Sequence, residues 1–281
     1  MRRYLLGLGA PLVAALVAGC GNETARAPNP TAYDWPDSMA YRVHEVAQAM
    51  RESLVVVRRE SSRVLRFVVG YDGAYSVWQD SVRLTAALQG GAPSTAQPLP
   101  EDTLRYFVRL SRWGEFLSEA PACDPAVPAC GDAPRSVLLM RLRNIIPKLP
   151  VWWPPKGSPW EDTLRVDDRR RSGGQPGMLV IRYRSERDTV AGGTGFWIVT
   201  WSSMWTPAAG SSVFADRYGF GGDSGVVYVD KQRLIPALAV WGSAPVPDEL
   251  SERGATRREI SGRAVLAGSV FDSPPFTQEA R

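Results

Sequence analysis

Ser224 lies between glycines in Gly222-Asp223-Ser224-Gly225, a tight setting that could present its hydroxyl as a nucleophile. Acyl transfer of that kind needs an imidazole to take the serine proton and a carboxylate to orient the imidazole. The chain offers one histidine, His44, in Val43-His44-Glu45. Two carboxylate pairs, Glu161-Asp162 and Asp167-Asp168, invite a glycoside-hydrolysis reading. Neighbours on a strand point to opposite faces, so neither pair forms an acid/base couple by itself. A single histidine excludes a Cys₂His₂ zinc site and an HExxH helix. No glycine pattern follows a strand and opens a helix to cradle phosphate. The chain is therefore expected to use neither a metal nor a cofactor.

The serine motif resembles the Gly-Asp-Ser-Gly of trypsin-like serine proteases, and Ala239-Val240-Trp241-Gly242 resembles the strand that follows it there. This chain departs from that family by continuing Val226-Val227 instead of Gly-Pro, and by placing His44 outside an Ala-His-Cys-like context. The competing reading is a glycine-rich turn ahead of a hairpin strand, which also accounts for the residues that follow. A protease using Ser224 with His44 is thus the alternative to a non-catalytic protein. Tryptophans supply the other candidate site. Trp152, Trp153 and Trp160 flank a proline-rich stretch, while Trp197, Trp201 and Trp241 fall in the second half. The latter three could line a cavity for acyl chains or a glycan face, or fill the core between sheet and helix.

Arg2 and Arg3, then an apolar run from Tyr4 to Val17, form the n- and h-regions of a secretory signal. Val17-Ala18-Gly19-Cys20 at its end resembles the lipobox of bacterial lipoproteins. The resemblance implies a signal peptide over 1–19, diacylglyceryl and acyl groups on Cys20, and a membrane anchor made of lipid. The apolar run is short of the roughly 20 residues that span a bilayer, and it contains Pro11. Gly21 after the cysteine resembles outer-membrane sorting, so the expected place is the outer membrane, facing the periplasm. Cys123 and Cys130, in CDPAVPAC, are then the only remaining thiols, and an oxidising compartment favours a disulfide between them.

The chain has 281 residues and a formal charge of +4, which falls to +2 once Arg2 and Arg3 leave with the signal. So small a balance gives no support for a nucleic-acid partner. Arg169-Arg170-Arg171 before Ser-Gly-Gly reads as a solvated loop. Residues 20–38, rich in Asn, Thr, Ala and Pro, read as a flexible tether.

Several elements would position these residues. Met39, Val43, Val46, Ala47, Met50 and Leu54 recur at helical spacing, so a helix counts better over 39–53, with a strand from Tyr41 as the alternative. Strand signals follow at Leu54–Val57 and, after a Ser-Ser break, at Val64–Val69. Tyr71-Asp72-Gly73 marks a turn. Alternation continues through Val82–Leu88 and Leu104–Leu110, and Arg112-Trp113-Gly114-Glu115 turns the chain into Phe116-Leu117. Leu138, Leu142, Ile145, Ile146 and Leu149 have the period of one helix near 136–146, stopped by Pro147 and Pro150. Strands are expected at 179–183, at 196–201, in a hairpin over 226–241 turning at Asp230–Arg233, and near Ile260–Phe271. The fold class that results is mainly β: a curved antiparallel sheet or open barrel with one or two packed helices. Residues 39–281 would form one domain, with strand-rich halves 39–134 and 160–281 joined by the helix and the Pro/Trp loop.

Two stretches resemble a group of uncharacterised β-rich envelope lipoproteins. One runs from Leu149-Pro150 to Trp160-Glu161-Asp162-Thr163, the other from Ser224 through Val226-Val227-Tyr228-Val229-Asp230 to Arg233-Leu234. The resemblance implies a curved sheet of the LolA/LolB or LppX kind and no catalytic residues. The function expected on these grounds is that of a membrane-anchored, non-catalytic lipoprotein binding a lipid, a glycan or an envelope protein.

Overall fold

The computed structural model describes residues 32–70, 73–88, 91–95, 105–121, 132–166, 177–207, 222–243, 246–247 and 257–272. Cys20, Cys123, Cys130, Asp167-Asp168 and Arg169–Arg171 lie outside them. The first half runs β1 (Ser38–Arg51), β2 (Leu54–Val69), β3 (Tyr75–Leu88), β4 (Ser94–Thr95), β5 (Arg105–Leu110) and β6 (Phe116–Pro121). Helix α1 (Asp132–Ile145) follows, then β7 (Pro159–Val166), β8 (Gly177–Ser185), β9 (Thr189–Ala191) and β10 (Thr194–Pro207). The last strands are β11 (Asp223–Asp230), β12 (Pro236–Ser243), β13 (Val246–Pro247) and β14 (Arg257–Leu266). The molecule is mainly β, with one helix among the described residues.

All strands join one 14-stranded sheet whose main path is β6-β5-β3-β2-β1-β14-β12-β11-β10-β8-β7. Every pairing is antiparallel. Laid flat, eleven strands would span roughly 48 Å at the usual strand spacing. Yet Arg143, near the end of α1, hydrogen-bonds the Gly114 carbonyl in the β5–β6 turn at 2.7 Å and pairs with Asp162 on β7 at 2.8 Å. One side chain touches both ends of the path, so the sheet curls around the helix. Edges β6 and β7 do not pair with each other, and the barrel stays open.

The inner face and α1 share one apolar core. Tyr41, Phe67, Val77 and Val108 come from one half of the sheet, Ile181, Tyr183, Val199 and Val227 from the other, and Leu142, Ile145 and Ile146 lie between them. The two strand-rich halves are thus one packed unit, sewn together by the β1–β14 pairing. Gly114 turns the chain with φ of +82°, and a Cβ there would sit 2.7 Å from the Pro147 carbonyl and 2.8 Å from Tyr33. Pro147, with no N–H to donate, ends the helix against this turn.

Four expectations change. Residues 39–51 form strand β1, not a helix: Met39, Tyr41 and Val43 are buried while Arg42 and His44 face out, a period of two. The four-residue steps from Met39 to Val43 and Ala47 fit a strand's alternation as well as a helix, and pairing with β2 and β14 decides the outcome. The Ser61-Ser62 break does not divide two strands; β2 runs through it, with a register shift against β3 at Ser62/Val64. Packing also begins inside the stretch read as tether. Tyr33 is buried and donates its hydroxyl to the Pro147 carbonyl at 2.8 Å, and Trp35 Nε1 donates to the Ser111 carbonyl at 2.9 Å. The final strand stops at Leu266 rather than near Phe271.

Candidate functional site

Ser224 and His44 are not brought together. Ser224 pairs with Ser202 and Gly242, and His44 with Ser62 and Arg263. Strands β14 and β12 lie between β1 and β11, three strand-to-strand steps or about 14 Å. His44 instead hydrogen-bonds Ser62 Oγ through Nδ1 at 3.1 Å, and its Nε2 lies 3.5 Å from Glu60 Oε1. The glycine of the motif has a packing role. Trp201 on β10 faces Gly225 on β11, Gly225 faces Trp241 on β12, and Trp241 faces Gly262 on β14. A Cβ on Gly225 would lie 2.7 Å from the Trp201 indole, and one on Gly262 would overlap Trp241. Large and small side chains therefore alternate along one row of the inner face.

Trp201 and Trp241 are buried members of the core. Trp197 is half-buried and stacks on Trp153, with ring centroids 4.5 Å apart. The space beside Trp241, bounded also by Val43, Arg63, Leu65, Gln79 and Ile145, is about 10 Å³, room for no more than a water molecule. The structure thus places Trp201 and Trp241 in the packed core and Trp197 against it. Glu161 and Asp162 diverge as strand geometry requires: Glu161 reaches out to Arg182 at 2.7 Å, while Asp162 points in to Arg143 and, at 3.6 Å, to Lys148.

Continuing along the Trp–Gly row onto the first half of the sheet, Gly262 faces Glu45 on β1, Glu45 faces Ser61 on β2, and Ser61 faces Leu84 on β3. Here the inner face turns polar. Arg63 is only 4% exposed and donates to Glu45, to Gln79 Oε1 at 3.0 Å and to Ser61 Oγ at 2.6 Å. Arg141 of α1 approaches the same Glu45 carboxylate at 3.7 Å. A buried guanidinium is tolerable only when its donors are so occupied. This belt was readable in principle, since Ser61, Arg63, Leu65 and Phe67 occupy alternate positions of one strand, so Arg63 had to share the apolar side.

Beyond the belt, away from the end where α1 stops, β1, β2 and β3 continue with small and apolar residues on the same face. Ala47 faces Arg59, Arg59 faces Ala86, Ala49 faces Val57, and Val57 faces Leu88. None of these residues is buried, and Leu88 is 45% exposed. Among the described elements, helix α1 packs nearest β12. At the opposite end, a groove of about 560 Å³ lies between the incoming segment at Asp34 and Pro36 and the β11–β12 turn at Arg233. Its floor of Met39, Phe67, Ile235 and Leu266 belongs to the sealed core.

Burial and charge shape the ionisation of the core. Burial pushes the Tyr33 and Tyr41 hydroxyls well above their usual value and that of Tyr183 up to about 12. On the rim, the hydrogen bond from Lys148 holds Glu115 below the usual carboxylate value. Burial pulls Lys148 down, but the Glu115 and Asp162 carboxylates outweigh it and raise the ammonium.

No protein-family model and no curated protein sequence matches the chain. A solved structure that superimposes on it is lipovitellin, described under lipid–protein interactions, at 10% identity and a TM-score of 0.49. The superposition covers 83% of this chain and 25% of that one, so this chain spans about a quarter of the length of lipovitellin.

Proposed function

We propose that this protein is a non-catalytic envelope lipoprotein that binds a lipid on the inner face of its open sheet. The observation that carries the reading is the apolar trough of Ala47, Ala49, Val57, Leu84, Ala86 and Leu88, half-exposed on a face that is sealed core only a few residues away. Alternation on β1–β3 prepares that face for burial, and about 25 cal/mol per Å² of apolar surface is recovered by whatever covers it. The anchor of the proposal is the acylated Cys20, holding the chain to the outer membrane on its periplasmic side. Multiple acyl chains, at about 0.8 kcal/mol per buried CH₂, hold far more firmly than one. The chain enters the domain at Tyr33, at the start of β1, whereas the trough lies along the far half of that strand. The trough would then sit away from the point of attachment.

Native mass spectrometry of protein released from its own envelope tests the binding. A retained lipid mass, lost when Ala86 is replaced by tryptophan, is the expected result; an empty protein in both forms would end the proposal. Detergent partitioning of wild type against Cys20→Ala tests the anchor, with only the variant expected in the aqueous phase. A serine-directed fluorophosphonate probe is expected to leave Ser224 unlabelled.

A further inference from the structure

Arg59 is out of character with its surroundings. It stands on the inner face between Ala47 on β1 and Ala86 on β3, one inner-face position beyond Ser61. Unlike Arg58 on the outer face, which pairs with Glu60 at 3.5 Å, Arg59 has no ion-pair or hydrogen-bond partner among the described residues. It is exposed, yet the residues flanking it across the strands are small and apolar. Arg59 thus sets a positive charge among small and apolar side chains.

From this geometry we infer that the trough binds the carboxylate of a single-chain fatty acid, with Arg59 holding the headgroup. The inference rests on the lipid-binding reading above and adds the ligand class to it. A planar guanidinium and a carboxylate match in a bidentate, charge-assisted pair. The tail then covers Ala49, Val57, Leu84, Ala86 and Leu88. From Glu45 to Ala49 the trough is about 14 Å long, and from β1 to β3 it is about 10 Å wide, dimensions that suit one chain. The carboxylate satisfies the free guanidinium while the tail removes the half-exposed apolar face from water.

The test uses the full exported chain carrying Cys20→Ser, so that its own acyl groups do not compete. The probes are a long-chain fatty acid with a terminal dansyl group and the methyl ester of the same compound, followed by fluorescence. The free acid is expected to bind about tenfold tighter than the ester, as a partly exposed charge-assisted pair would give. Arg59→Gln should erase that advantage and leave the ester unchanged, and Arg58→Gln should do nothing. Ala86→Trp, with its circular dichroism unchanged, should abolish binding of both probes. Equal binding of acid and ester, indifferent to Arg59→Gln, would overturn the headgroup assignment while leaving a lipid-binding trough. Failure of either probe to bind would overturn both readings. Competition by phosphatidylglycerol at lower concentration than by the fatty acid would overturn the choice of a carboxylate.

Discussion

The two halves of β1, β2 and β3 carry the same alternation and end in opposite environments. Toward the start of β1, Tyr41, Phe67 and Val77 face inward and are fully buried beneath α1 and its following segment. Past Glu45 and Arg63 the same strands present Ala47, Leu84 and Ala86 to the same side, and these remain half-exposed. Strand periodicity fixes which face a residue occupies, but not whether anything lies on that face. Among the described elements, the buried half is the one nearest the end of helix α1, which packs on β12 and stops against the β5–β6 turn. The polar belt marks the boundary between the buried and the half-exposed part of that face.

The sharpest way to break this comparison is to truncate one inward residue from each half. Phe67→Ala should cost about 4 kcal/mol, the transfer free energy of the ring plus the cavity it leaves. Leu84→Ala, on the same face of the next strand, should cost less than about 1 kcal/mol because the leucine is only half-buried. Urea midpoints at constant m-value measure both. Similar losses would mean that the far half is as well packed as the near half, and the trough would disappear from the argument.

Carboxylates sharpen the second contrast, between the inside and outside of one edge strand. Asp162→Ala leaves the buried Arg143 guanidinium without its partner and should cost roughly 3 kcal/mol. Glu161→Ala removes a surface pair with Arg182 and should change stability by less than about 0.5 kcal/mol. If the two cost the same, Arg143 is not what joins the β5–β6 turn to β7.

Much of this architecture was legible in the sequence. Alternation around Arg109 and Arg182 and the proline stop after Ile146 each depend on neighbours in the chain, and each element is present. What escaped depends on partners far away. β1 reads as a helix until it is known that β2 and β14 flank it on both sides. Gly225 reads as part of a serine motif until Trp201 is known to lie across from it. The Ser61-Ser62 pair reads as a break between strands until β2 is seen to run through it against a bulge in β3. Of the candidate site residues, Trp201 and Trp241 belong to the sealed half, and the residues of the trough carry only the alternation of an ordinary strand.

The Trp–Gly row gives the third prediction. Gly262→Ala should destabilise by about 2 kcal/mol, because a methyl group there overlaps the Trp241 ring and a packed core yields little. Gly262→Ala combined with Trp241→Leu should cost less than the sum of the two single changes, since they share one contact. Strict additivity in chemical denaturation would show that the glycine was not retained to admit the indole.

The smallest effect concerns the rim, where Lys148 reaches both Glu115 beside the β5–β6 turn, at 2.8 Å, and Asp162 on β7. Glu115 titrates below its ordinary value of 4.5 in the folded protein, chiefly through the hydrogen bond from Lys148. A carboxylate with a depressed folded value binds fewer protons folded than unfolded, so its contribution is complete above 4.5 and is lost as pH falls through the lower value. Lys148 mirrors it: its raised value makes its contribution complete below 10.5 and lost as pH climbs beyond the folded value. Glu115→Gln should therefore lower Tm slightly at neutral pH, and the two curves should converge in the acid limb below 4.5. Both partners are about one-third exposed, so solvent screens the pair and the gap should shrink further in high salt. A gap that persists unchanged into strong acid would assign the effect of Glu115→Gln to packing on the turn, and the strap between the two sheet edges would then rest on Arg143 and Asp162 alone.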